Sequence, residues 1–170
     1  MTNIAVVIPS FRVTDHILDV LSGIGPEVSN IFVVDDSCPD NSGDFVEKNS
    51  KDKRVTVLRH KENQGVGGAV ITGYKAALES GVDIVVKVDG DGQMDPALIP
   101  TLVAPILAGE ADYAKGNRFD SLEDLYEMPR VRIFGNAVLS LWSKQSTGYW
   151  RITDPTNGFT AIHRKALENI

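Results

Sequence analysis

Four short apolar runs rich in β-branched residues, Ile4–Ile8, Ile31–Val34, Val55–Leu58 and Ile84–Val88, recur along the first half of the chain with segments of helical character between them. Strand-like runs alternating with helices predict a mainly parallel central sheet with helices on both faces, an α/β/α sandwich whose connections are short enough for right-handed crossovers. The intervening segments agree: Ile17, Leu18 and Leu21 have helical spacing, as do Ala69, Thr72, Ala76 and Ala77 before a stop at Gly81. Asp95-Pro96 reads as the N-cap and first residue of a helix through Leu98, Leu102 and Ile106. Further on, 112–115 and 160–163 read as strands and about 131–143 as a helix, whereas Ser121–Met128 is acidic and loop-like.

With 170 residues and 42% hydrophobic content, the chain suits one substantial core, and 1–170 is expected to be a single domain. Its first hundred or so residues look like a nucleotide-binding half and the remainder like a region facing a second substrate. Seventeen basic against 23 acidic residues, with no basic cluster, argue against a nucleic-acid partner. Cys38 is the only cysteine, which excludes an internal disulfide and suits a reducing compartment. No apolar run approaches the roughly 18 residues needed to span a bilayer, so the chain as given is expected to be soluble. Arg164–Ile170 reads as a helix just begun without a stop signal, which suggests a piece of a longer protein, truncated at its C-terminus.

Two strand ends are acidic. Asp89-Gly90-Asp91-Gly92-Gln93 follows directly on Ile84–Val88, so two carboxylates and an amide sit where a buried strand opens into a loop, the place where ligands bind in open α/β sheets. Carboxylates about 4 Å apart repel by roughly 4 kcal/mol at an effective dielectric of about 20, a cost that a bound Mg²⁺ or Mn²⁺ reverses. The alternative is a solvated turn. Ile31–Val34 ends likewise in Asp35-Asp36, where a carboxylate can accept from a base N–H or a ribose hydroxyl, or can serve an Asx-turn leading into a helix.

Asn63-Gln64-Gly65-Val66-Gly67-Gly68-Ala69 precedes a helix, and its glycines would either face an anion or let the helix pack closely on the sheet. Val70 stands where a dinucleotide fingerprint requires Gly, and no Gly-Lys-Ser/Thr follows, which disfavours NAD and P-loop readings. Arg118 follows a strand and Arg132 opens the later helix; either guanidinium can hold phosphate oxygens or can be a solvated charge. Asp154, in a turn-rich loop before the last strand, can act as a general base, bind a sugar hydroxyl or stabilise its turn. His16, His60 and His163 show no ligand spacing, and there is no Gly-x-Ser-x-Gly elbow.

Taken in order, Val6-Val7-Ile8-Pro9-Ser10-Phe11, Val33-Val34-Asp35-Asp36-Ser37, the 63–69 loop, Asp89–Gln93, Gly116-Asn117-Arg118 and Asp154-Pro155-Thr156-Asn157-Gly158-Phe159 resemble family 2 glycosyltransferases over nearly the whole chain. Within that family the sequence looks most like the dolichyl-phosphate-mannose-synthase branch. The resemblance implies a GT-A fold in which Pro9, Phe11, Asp35 and Asp36 line a nucleotide pocket and Asp89, Asp91 and Gln93 form the metal and diphosphate motif. It also implies that Arg118 and Arg132 contact phosphate and that Asp154 lies on the acceptor side. Two departures stand out: Phe11-Arg12-Val13 replaces the usual Tyr-Asn-Glu, and Thr160 replaces an arginine of the acceptor loop.

These readings imply an inverting, metal-dependent transfer of a hexose from a nucleotide-diphosphate sugar, such as a UDP- or GDP-sugar, to a polyprenyl phosphate such as undecaprenyl or dolichyl phosphate. The expected place is the cytoplasmic face of a membrane, with membrane contact made by segments absent from this chain. Three rivals remain: a glycan-extending transferase with a sugar-hydroxyl acceptor, a non-catalytic nucleotide-sugar-binding module, and a nucleotidyltransferase.

Overall fold

The computed structural model describes residues 2–117, 130–148, 150, 154 and 157–169. Its elements run β1 (Ile4–Ser10), α1 (Ile17–Gly23), β2 (Val28–Asp35), α2 (Ser42–Asn49), β3 (Val55–Arg59) and α3 (Gly65–Glu79). There follow β4 (Ile84–Lys87), a single 3-10 turn (Pro96–Leu98) leading into α4 (Ile99–Leu107), β5 (Tyr113–Lys115), α5 (Arg130–Thr147), β6 (Thr160–His163) and α6 (Arg164–Leu167). The chain divides into two compact units, Met1–Ala114 with Phe159–Ile170, and Lys115–Gly158. Arg118 and the loop 121–128 lie outside the described residues, as does the side chain of Arg132, although that residue falls within α5.

The six strands form one sheet in the order β3-β2-β1-β4-β6-β5. β1 pairs in parallel with β2 and β4, and β2 in parallel with β3, while β6 runs antiparallel to β4. From β1 the chain steps outward through β2 to β3, and then α3 carries it back across to β4 on the other side of β1. The β1/β4 boundary is therefore where the strand order reverses, and in open α/β sheets ligands bind beyond the carboxyl ends of the strands at such a point.

Strand alternation divides the core in two. Ile4, Val6 and Ile8 of β1 face Ile17, Val20 and Leu21 of α1, Val46 of α2 and Ile99, Leu102, Val103 and Ile106 of α4. Ala5 and Val7 face Ala69 and Ala77 of α3 and Leu167 of α6. Full burial of each large aliphatic side chain contributes about 1.5–3 kcal/mol relative to exposure. Helix α3 lies close on its face because residue 73 is glycine: a Cβ there would come within 2.2 Å of Val7 Cγ1.

The expected strands appear within a few residues of their sequence bounds, and Asp95 caps its helix by accepting from Ala97 N–H at 2.9 Å. The close-packing role considered for the 63–69 glycines belongs instead to Gly73, since a Cβ at Gly65 or Gly67 would meet nothing within 4 Å and one at Gly68 would meet the Gln64 side chain at 2.5 Å, not the sheet. Helix α2 carries a weak apolar signal because its buried face consists of Ser42, Gly43 and Val46.

Candidate active site

The carboxyl end of β1 at the strand reversal carries a proline. Val7 accepts from Val88 N–H at 3.0 Å, so its peptide edge faces β4, and two residues on Pro9 presents that edge with no N–H to donate. Pairing with β4 accordingly stops at Val7 and Lys87, whereas β1 stays paired with β2 as far as Ser10 and Asp35. Phe11, 42% exposed, follows, and the Arg12 guanidinium lies 5.6 Å from its ring centroid.

The Asp89–Gln93 segment turns sharply at this point. Gly92 takes φ +77, a left-handed conformation that suits glycine, and a Cβ on Gly90 would lie 3.3 Å from Ile8 Cγ2 and 3.2 Å from Val13 Cγ2. The glycines thus let the turn press against the carboxyl end of β1. Asp91 Oδ1 accepts from Gln93 N–H at 3.0 Å, an Asx-turn that fixes one carboxylate oxygen, and its Oδ2 accepts no hydrogen bond among the described residues. Asp89 Oδ1 is paired with Lys87 Nζ at 2.5 Å. Lys87 is a participant that the sequence reading missed. Its signal was present, because residues two apart at a strand end share a face.

The second acidic strand end is built differently. Asp35 is buried and spends both oxygens on the backbone, Oδ1 accepting from Cys38 N–H at 2.8 Å and Oδ2 from Gly43 N–H at 2.7 Å in the first turn of α2. Asp36 Oδ1 accepts from Gln64 N–H at 2.8 Å and from His60 Nδ1 at 2.7 Å, while His60 Nε2 lies 2.8 Å from Thr72 Oγ1. A carboxylate can only accept, so Nδ1 carries the proton in this pair. Burial pushes the Asp36 carboxyl up, but the Gln64 amide and the His60 ring outweigh it and hold it below the ordinary carboxylate range. Asn63 Nδ2 also donates to the Asp36 carbonyl at 3.1 Å. The Asp36–His60–Thr72 chain thus ties together β2, the end of β3 and α3. No sequence spacing pointed to it, since His60 lies 24 residues from its partner.

Near the same strand end Cys38 is buried and its Sγ accepts from Arg12 N–H at 3.1 Å. Burial raises this thiol, and hydrogen bonds from Ser42 and the Arg12 amide bring it below its ordinary value. The α3 N-terminus begins at Gly65, with no side-chain cap and no acidic residue in its first turn. Burial pushes the phenols of Tyr74 and Tyr113 up, and Thr160 at the start of β6 acts in the opposite direction. In the second unit, Asp154 is 2% exposed.

Among the described residues, no three His, Cys, Asp or Glu side chains converge to enclose a metal ion. The 89–93 turn offers two carboxylates and a carboxamide, all hard oxygen donors. Mg²⁺ and ions like it are commonly held by one or two carboxylates, with substrate phosphates and water completing the shell. Such a donor set fits a divalent cation that arrives with a diphosphate.

An open α/β sheet with an acidic turn at its reversal point is the GT-A glycosyltransferase arrangement, and solved structures agree with it. Glucosyl-3-phosphoglycerate synthase from Mycobacterium tuberculosis, crystallised with Mn²⁺, UDP and phosphoglyceric acid, matches 96% of this chain and 56% of its own with a TM-score of 0.72 at 21% identity. The chain belongs to glycosyl transferase family 2, whose model matches residues 5–170. It is 31% identical to the UDP-N-acetylglucosamine–dolichyl-phosphate N-acetylglucosaminyltransferase of Methanococcus voltae, over 97% of this chain and 71% of that protein. It is 32% identical to the undecaprenyl-phosphate mannosyltransferase of Micrococcus luteus, over 84% of this chain and 58% of that protein. These relatives fall in the dolichyl-phosphate-mannose-synthase-like branch. No helix among the described residues is long and apolar enough to cross a membrane.

Proposed function

We propose that this chain is the catalytic domain of a glycosyltransferase that moves a hexose, with inversion, from a nucleoside-diphosphate sugar to a polyprenyl phosphate at the cytoplasmic face of a membrane. The observation that carries the reading is the acidic turn Asp89–Gln93 pressed against the end of β1 at the strand reversal. The polyprenyl-phosphate acceptors named for relatives at 31% and 32% identity support the acceptor class.

In this reading Asp89, Asp91 and Gln93 hold Mg²⁺ or Mn²⁺, which when bound neutralises charge on the departing diphosphate. Pro9 and Phe11 line the nucleotide pocket, whose floor Asp35 and Asp36 hold in shape. Arg118 and Arg132 add positive charge toward phosphate oxygens. A phosphate monoester, with a second pKa near 6, is already an ionised nucleophile at neutral pH and needs no general base. Asp154 then orients the acceptor, and Asp154→Asn slows transfer only modestly. A loss of about 10⁴-fold instead points to a sugar-hydroxyl acceptor that requires a base.

The test is thermal stabilisation of the chain by UDP-, GDP- and dTDP-sugars with and without Mn²⁺. A ligand at about 100 times its dissociation constant adds about 2.7 kcal/mol. A metal-dependent shift with one nucleotide is the expected result and identifies the base. No shift with any donor, here and in the full-length protein, overturns the reading.

A further inference from the structure

Lys87 is a charged residue on a central strand, and its side chain is 12% exposed. Its register neighbours are Val7 on β1 and Thr160 on β6. Val7 and Val85 belong to the cluster packed under α3, so Lys87, two residues on from Val85, starts from that covered face. Thr160 offers the ammonium a neutral hydroxyl and no counter-charge. The ammonium reaches along the strand to Asp89 Oδ1, and Asp89 itself is 29% exposed at its side chain. A lysine so enclosed is costly to hold without a partner, and the carboxylate beside it is the partner that the fold supplies.

We propose that Lys87 is the resident counter-ion of the acidic turn. It neutralises Asp89 in the metal-free protein, competes with a divalent cation for that carboxylate, and makes metal binding depend on the arrival of a diphosphate. The inference rests on the metal reading proposed above. A cation entering the turn alone would draw on a carboxylate whose Oδ1 already pairs with Lys87, and would meet the repulsion of that ammonium. A nucleoside diphosphate brings its own negative charge, which offsets that repulsion and gives the ammonium a new partner. Metal and nucleotide therefore bind with positive coupling, and Lys87 is the source of the coupling. It acts through Asp89 and is a positioning residue; it does not take part in bond making.

The experiment is a Mn²⁺ titration of the whole chain followed by electron paramagnetic resonance of the free ion, with and without UDP, on the wild type, Lys87→Met and Lys87→Arg. Lys87→Met keeps an unbranched stem and removes the charge. It is expected to bind Mn²⁺ about 5- to 100-fold more tightly than the wild type when UDP is absent, and to lose most of the tightening that UDP brings. Lys87→Arg retains the charge and the wild-type weakness. A merely structural role predicts the opposite sign, since a loosened turn binds metal less well. Unchanged or weaker Mn²⁺ binding by a folded Lys87→Met protein, alongside a wild type whose Mn²⁺ binding UDP strengthens, overturns the counter-ion role alone. A wild type that binds no Mn²⁺ even with UDP overturns the metal reading and this inference with it.

Discussion

Two strand ends in this protein carry the same local sequence logic, an apolar run closing on a pair of acids, and the fold uses them in opposite ways. At the end of β2, Asp35 and Asp36 are buried and accept from the Cys38, Gly43 and Gln64 amides and from His60. At the end of β4, among the described residues, Asp91 keeps an oxygen without a hydrogen bond, and Asp89 is held only by Lys87 and by its own backbone contact to Met94. The difference lies in what packs beside each strand. β2 lies between β1 and β3 with α2 starting immediately above it, so amide donors converge on its carboxylates. β4 borders the reversal point, where its pairing with β1 ends at Val7 and Lys87. An acid at the first place is consumed by the fold, and in the proposed reading an acid at the second is left for a ligand.

The strongest way to break this contrast is at Asp91. Asp91→Asn is expected to lower turnover about 10²–10³-fold, equivalent to about 3–4 kcal/mol, while leaving the unfolding midpoint near wild type. Turnover within a few-fold of wild type would remove the turn from the chemistry. Asp35→Ala should do the reverse, costing about 2–4 kcal/mol in urea unfolding because two buried amides lose their acceptor.

Asp36→Asn sharpens the same side of the comparison with pH. The folded carboxyl lies below its ordinary value, so its contribution is present above the unfolded value near 4 and fades as pH falls through the folded value. The stability gap between wild type and Asp36→Asn is therefore expected to be about 1.5–3 kcal/mol at neutral pH and to narrow below about pH 4. A gap that stays constant from pH 7 to pH 3 contradicts the charged pairing.

The smallest effects concern α3. Gly73→Ala forces a methyl group toward Val7 and is expected to cost about 1–3 kcal/mol. Gly67→Ala has open space and should stabilise by up to about 1 kcal/mol in the same unfolding assay.

Much of the architecture was legible because strand periodicity and capping are local. The runs at Ile4, Ile31, Val55 and Ile84 became strands, and Asp95 became a cap, since β-branched burial and an N-cap carboxylate act within a few residues. The likeness to a known family was equally legible from the ordered motifs. Helix α2 was legible only as one alternative, a helix entered through an Asx-turn, because Phe45 and Val46 are its only large apolar residues.

At the candidate site the sequence by itself determined which residue types stand at the strand ends, including the Asp89–Gln93 turn whose glycines allow its shape. Only the tertiary structure decided which of those acids are consumed. His60 meets Asp36 across 24 positions, and Gly43 meets Asp35 only because α2 folds back over β2. The cost of burying a charge depends on the donors that packing brings within about 3 Å, and packing is set by the whole sheet, not by neighbours in the chain.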